Sequence, residues 1–90
     1  MEEKTMTTYK IIEDSKQEPS LEEAQKFVGG YVEGVELNNG DYMIINEEGK
    51  IHQLPVNTEA TKVWEQSYGA TDVIMGPAIV IKAKARKEWR

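Results

Sequence analysis

The sequence predicts an α+β domain, and three local observations carry that prediction. A Gly-containing turn lies between two apolar runs. Two stretches of helical periodicity each begin at a capping residue. A closing apolar run, "DVIMGPAIVIK", broken by Gly76-Pro77, reads as two strand pieces or one bent strand.

"TTYKII" (7–12) is β-branched and aromatic and reads as the first strand, and "EDSKQEP" after it reads as an exposed acidic loop. Ser20 followed by Glu23 forms a capping box behind Pro19 and opens a helix over 20–28. Leu21, Ala24 and Val28 lie along one stripe of that helix, with Phe27 beside them. Gly29-Gly30 ends the helix. Phosphate-cradling glycines sit between a strand and a following helix, whereas this pair follows a helix and precedes a strand, so a C-terminal cap is its reading.

"YVEGVEL", "NNGD" and "YMIIN" read as a hairpin. A two-residue Asn39-Gly40 loop would set Leu37 opposite Tyr42 and Val35 opposite Ile44, leaving Val32, Met43 and Ile45 together on the other face. "NEEGK" reads as a tighter connection with Gly49 at its left-handed position, and "IHQL" (51–54) as a short third strand of the meander. Pro55 stops the sheet, Asn57 or Thr58 caps a second helix over 58–68, and Gly69 ends it. The order strand, helix, strand, strand, helix, strand is close to the split βαβ arrangement. The expected architecture is therefore a two-layer sandwich: a mainly antiparallel sheet with both helices on one face, a ferredoxin-like βαββαβ variant carrying an extra short strand.

Ninety residues suit one domain, read as a frayed N-terminus (1–6), a folded core (7–82) and a basic tail (83–90). There is no Cys, hence no disulfide framework or thiolate chemistry. The charged N-terminus has no apolar h-region, and no apolar run approaches the roughly 18 residues of a membrane span, so a cytoplasmic protein without membrane attachment is expected. Net charge is −5 and uneven: residues 1–50 carry 12 acids against 5 bases, residues 51–90 carry 4 against 6. That balance disfavours nucleic acid as a partner and reads as a well-solvated surface, the alternative being an acidic face that meets a basic protein or imitates DNA.

His52 is the only histidine. It alternates with Lys50 and Leu54 and has no acid or Ser neighbour in a triad-like pattern, so no catalytic residue, cofactor or metal site is assigned. The calcium-loop pattern is also missing from "NNGD" and "NEEGK". Two surfaces remain. Val32, Met43 and Ile45 are apolar where a two-layer domain should be polar; either an extra element such as the tail covers them or another chain does, which makes them the partner-binding or dimer candidate. Lys82, Lys84, Arg86, Lys87 and Arg90 form the nucleic-acid candidate. The leading expectation is a non-enzymatic protein that binds a protein partner or itself. The alternatives are a nucleic-acid module acting through the tail, and a small ligand-binding domain or enzyme using His52 near Asn46.

"FVGGYVEGVEL", "IINEEGKIHQLPVN" and "DVIMGPAIV" together resemble a family of small domains of unknown function found in bacteriophages and mobile elements. The correspondence falls on Gly29 to Glu33, Asn46 to Lys50, Leu54 to Asn57 and Val73 to Val80, and spans residues 20–82. The resemblance implies a phage or mobile-element accessory protein and assigns no catalytic residue.

Overall fold

A computed structural model describes residues 8–89; the expected frayed segment 1–6 and the start of the first strand lie outside the described residues. The elements run β1 (Tyr9–Ile12), α1 (Leu21–Val28), β2 (Val32–Glu36), β3 (Tyr42–Asn46), α2 (Thr58–Tyr68) and β4 (Ala78–Ile81), with single 3-10 turns at Ser15–Gln17 and Ala83–Ala85. The chain is α+β, with four strands in the order β1-β4-β3-β2; β1 runs parallel to β4 and the other pairs are antiparallel.

The helix ends follow from local chemistry. Ser20 Oγ accepts from the Glu23 N–H at 3.1 Å, and Glu23 returns a bond to the Ser20 N–H at 2.9 Å. Asn57 Oδ1 accepts from the Ala60 N–H at 3.0 Å and opens α2. Gly29 takes φ +86 and, with Gly30, donates to the Gln25 carbonyl, closing α1 as a C-cap.

Strand order departs from the ferredoxin-like arrangement, in which the first strand sits inside the sheet. Here β4 lies between β1 and β3, and all four of its residues are buried. A strand apolar on both faces belongs inside the sheet, while β1, with Lys10 and Ile11 exposed, suits an edge.

The helices also do not share a face. Ile12, Ile44, Ile79 and Ile81 pack against Ala24 and Val28 of α1. Val35, Met43, Ala78 and Val80 pack with Ala60 of α2 and with Ile74 on the opposite face. Each of the fully buried side chains Met43, Ile44, Ile79 and Ile81 contributes roughly 1.5–3 kcal/mol by leaving water. With apolar residues on both faces of β3 and β4, each face needs its own cover.

The hairpin register differs from the expected one by a single residue. The loop is Asn38-Asn39-Gly40: Gly40 donates to the Leu37 carbonyl at 3.1 Å, the Leu37 N–H to the Asp41 carbonyl at 3.0 Å, and Gly40 sits at φ +93. This is a three-residue loop with a bulge. It sets Val35 opposite Met43 and Gly34 opposite Ile44, so every side chain of β3 changes face relative to β2. Val32 therefore turns towards α1. Met43 is 0% exposed beneath α2, and Ile45 packs half-buried against the same cluster. Of the expected apolar partner surface, Met43 is interior and Val32 and Ile45 are half-buried, because the new register divides them between the two helix-covered faces.

Residues 51–54 are not a strand. Residues 47–53 coil into turns, with the His52 N–H donating to the Glu48 carbonyl at 3.0 Å and the Leu54 N–H to Gly49 at 2.9 Å. The left-handed residue is Gln53 (φ 55), not Gly49. Gly49 is required for space, since a Cβ there would meet the Met75 carbonyl oxygen at 2.1 Å.

The tail folds back. Trp89 packs against the α1-side core, and Glu18 accepts the N–H groups of Lys87 (2.9 Å), Glu88 (3.0 Å) and Trp89 (3.2 Å). Residues 83–89 belong to the folded body, and Arg90 lies outside the described residues.

Candidate functional site

A concavity of about 550 Å³ opens where the end of α1 meets the irregular segment leading into α2. That volume falls within the range of small-ligand sites. Phe27 and Val28 form one wall, Leu54, Pro55 and Val56 another, and Pro77 with Gly76 closes the end near Thr8. The Leu-Pro-x-Asn stretch builds the second wall because Pro55 cannot donate to a ladder. Segment 54–57 is held in place by a single bridge between Val56 and Met75 and by the Asn57 N–H on the Ile74 carbonyl at 2.8 Å.

Two asparagines shape this cleft, and both are engaged by the chain itself. Asn46 Nδ2 donates to the Val28 carbonyl at 3.0 Å, capping the end of α1, while its Oδ1 accepts the Glu48 N–H at 2.7 Å. Asn57 Nδ2 donates to the carbonyls of Thr8 (2.8 Å) and Gly76 (2.9 Å), and its Oδ1 caps α2. His52 stands at the mouth, exposed, with Nε2 3.0 Å from Glu48 Oε1 one helical turn away. The cleft thus offers shape and apolar surface, and among the described residues His52 is its one titratable side chain.

His52 and Asn46 are brought into the same cleft, although His52 lies on a turn rather than on a strand. Three of the tail cations, Lys82, Lys84 and Arg86, are each met by an acid of the body. Lys82 Nζ lies 2.9 Å from Asp41, Lys84 lies 3.8 Å from Glu13, and Arg86 forms a bidentate pair with Glu36 at 3.1 and 2.9 Å while its guanidinium covers the Tyr42 ring at 4.7 Å. Burial raises the pKa of Asp41, but Lys82 and the Ala83 N–H outweigh it and hold the carboxyl below its ordinary range. The same opposition holds Glu18 low: burial pushes up, and the N–H groups of residues 87–89 pull down further.

Sequence reasoning passed over Pro55, Val56 and Pro77, which lie in irregular backbone and fit no periodic pattern. Their signal was a single Pro beside apolar residues in each of two stretches, Leu54-Pro55-Val56 and Gly76-Pro77-Ala78. Among the described residues, no group of three or more His, Cys, Asp or Glu is placed to hold a metal ion, and no helix is long and apolar enough to cross a membrane.

These features define an α+β domain with an apolar cleft at one end of its sheet. The chain belongs to the family described as Domain of unknown function (DUF3846), whose model matches residues 2–89. The match takes in the acidic loop and the basic tail, which the shorter motif resemblance left out, as expected of segments that fold against one another. No curated protein and no solved structure matches the chain.

Proposed function

We propose that this chain is a small non-enzymatic binding protein that receives an apolar side chain of a partner protein in the cleft between α1 and residues 54–57. The observation that carries this reading is the engagement of both asparagine amides of the cleft by the chain's own backbone. What the site then offers a ligand is the uncharged surface of Phe27, Leu54, Pro55, Val56 and Pro77. An apolar group entering it gains by leaving water and displaces no internal hydrogen bond. The motif resemblance supports placing the protein among accessory factors of bacteriophages or mobile elements, acting in the host cytoplasm.

Val56 is 56% exposed, so Val56→Glu alters the cleft wall with little effect on folding. Peptides selected from a random library on the wild-type protein are expected to share one bulky apolar residue. They should lose at least tenfold in affinity against Val56→Glu, with an unchanged amide NMR spectrum away from the cleft. Selected peptides that bind both proteins equally would overturn the assignment.

A further inference from the structure

A second, smaller cleft of about 150 Å³ lies on the α2 side of the sheet. It has room for several waters, at about 30 Å³ each, or for one aliphatic side chain. Val35, Ile45, Trp64 and Ile74 line its apolar part, and two further apolar lining residues are exposed, Ile51 at 74% and Val73 at 42%. Glu33, Glu47 and Asp72 bring three carboxylates to the lining against one ammonium, that of Lys50, which is hydrogen-bonded to Asp72. An exposed isoleucine beside an apolar hollow under net negative charge describes a recognition surface better than a solvated face.

The backbone beside the cleft is an open edge. β2 is the outer strand of the sheet. The Glu47 N–H donates to the Tyr31 carbonyl at 2.9 Å and the Leu37 N–H to the Asp41 carbonyl at 3.0 Å, so the odd-numbered residues of β2 bond to β3 and the even-numbered ones point outward. Tyr68 Oη caps the outward carbonyl of Glu36. On that outer side the backbone N–H and C=O groups of Val32 and Gly34 face no further strand among the described residues. Side chains of an added strand would alternate, with one set lying beside Glu33 and Val35 at the cleft.

We propose that the β2 edge and this cleft bind an extended segment of another protein that carries a large aliphatic residue flanked by Lys or Arg. The backbone of the segment pairs with Val32 and Gly34, its aliphatic residue enters between Ile51, Trp64 and Val73, and its cations meet Glu33 and Glu47. A second copy of this chain is disfavoured at the same edge, because it would set the carboxylates of β2 against their own copies. This surface is separate from the α1 cleft, and either assignment stands if the other fails.

The test uses three nine-residue peptides, alternating Lys with Leu, Glu with Leu, and Lys with Ser, titrated into the labelled full chain. The Lys-Leu peptide should shift the amides of residues 31–36 and the Trp64 indole signal, and its affinity should fall at least fivefold between 50 and 300 mM salt. The Glu-Leu and Lys-Ser peptides should bind at least tenfold more weakly. Glu33→Lys/Glu47→Lys, both at exposed positions, should lose the Lys-Leu peptide by tenfold or more while keeping the dispersion of the spectrum. Equal binding of Lys-Ser, which would mean charge attraction alone, overturns the proposal. So does a shift pattern that maps elsewhere, or self-association through β2 in place of peptide binding.

Discussion

The indole N–H of Trp89 donates to the carbonyl of Pro19 at 2.8 Å, tying the chain's C-terminal end to the loop that enters α1. Around that bond, Glu18 collects three successive N–H groups of the tail, and the Trp89 ring lies 6.2 Å from that of Tyr42. The tail is thereby a stabilising element of the α1-side core. Trp89→Ala should cost about 2 kcal/mol, less than a fully buried Trp because the ring is only half covered. Urea unfolding at neutral pH checks this, and an unchanged midpoint would show the tail to be ornamental to the fold.

Asp41 ties the hairpin loop to the end of β4 through Lys82, the Ala83 N–H at 2.8 Å and the Asn39 amide at 3.1 Å. Its carboxyl titrates below its unfolded value despite burial. A group lowered in this way contributes its full stability above the unfolded pKa, about 4, and loses it as pH falls through the folded value. Asp41→Asn should therefore destabilise by roughly 2 kcal/mol at pH 7, with the gap from the wild type closing below about pH 4. Parallel urea curves at pH 7, 5 and 3 give the comparison. A gap that stays constant down to pH 3 would assign the loss to packing instead of charge.

Gly34 gives the Tyr42 ring its place. A Cβ at residue 34 would come within 1.7 Å of the Tyr42 hydroxyl oxygen and 2.3 Å of the ring carbon bearing it. The ring cannot move without cost, since Arg86 covers it and Trp89 lies against it. Gly34→Val is expected to destabilise by about 1–3 kcal/mol. In a Tyr42→Ala background the same change should cost far less, and a double-mutant cycle measures that coupling. Additive effects would mean that the two positions are independent.

The two glycines after α1 should respond differently. Gly29 sits at φ +86 with open space where a Cβ would point, so Gly29→Ala carries conformational strain of about 1 kcal/mol and no clash. At Gly30 a Cβ would meet Asn46 Nδ2 at 3.2 Å, a contact that a slight shift of the amide relieves. Gly30→Ala should therefore be the milder change in thermal unfolding. The reverse order would place the left-handed residue at the wrong glycine.

Much of the secondary structure was legible because it is decided within a few residues. Ser20 with Glu23, Asn57 as the cap of α2, and Gly29 after Val28 are short-range hydrogen-bonding and steric arrangements, and both helices lie where those residues place them. The cleft was barely legible. Asn46 and His52 were singled out, but the walls formed by Phe27, Leu54, Pro55, Val56 and Pro77 come together only when the end of α1 is pinned to the 47–53 turn through Asn46. The pairing of Lys82, Lys84 and Arg86 was not legible, because the acids that meet them, Asp41, Glu13 and Glu36, are distant in sequence and adjacent in space.

The sequence by itself determined the α+β class, the two helices and the existence of the hairpin, since these rest on propensity, capping and turn residues acting locally. Tertiary structure decided strand order, register and the division of the helices between two faces. A three-residue Asn38–Gly40 loop in place of a two-residue one turns β3 over relative to β2, and that choice depends on which faces can be buried. Once Met43 and Val80 lie on one face and Ile44, Ile79 and Ile81 on the other, water must be excluded from both. One helix on each side is the arrangement that achieves it.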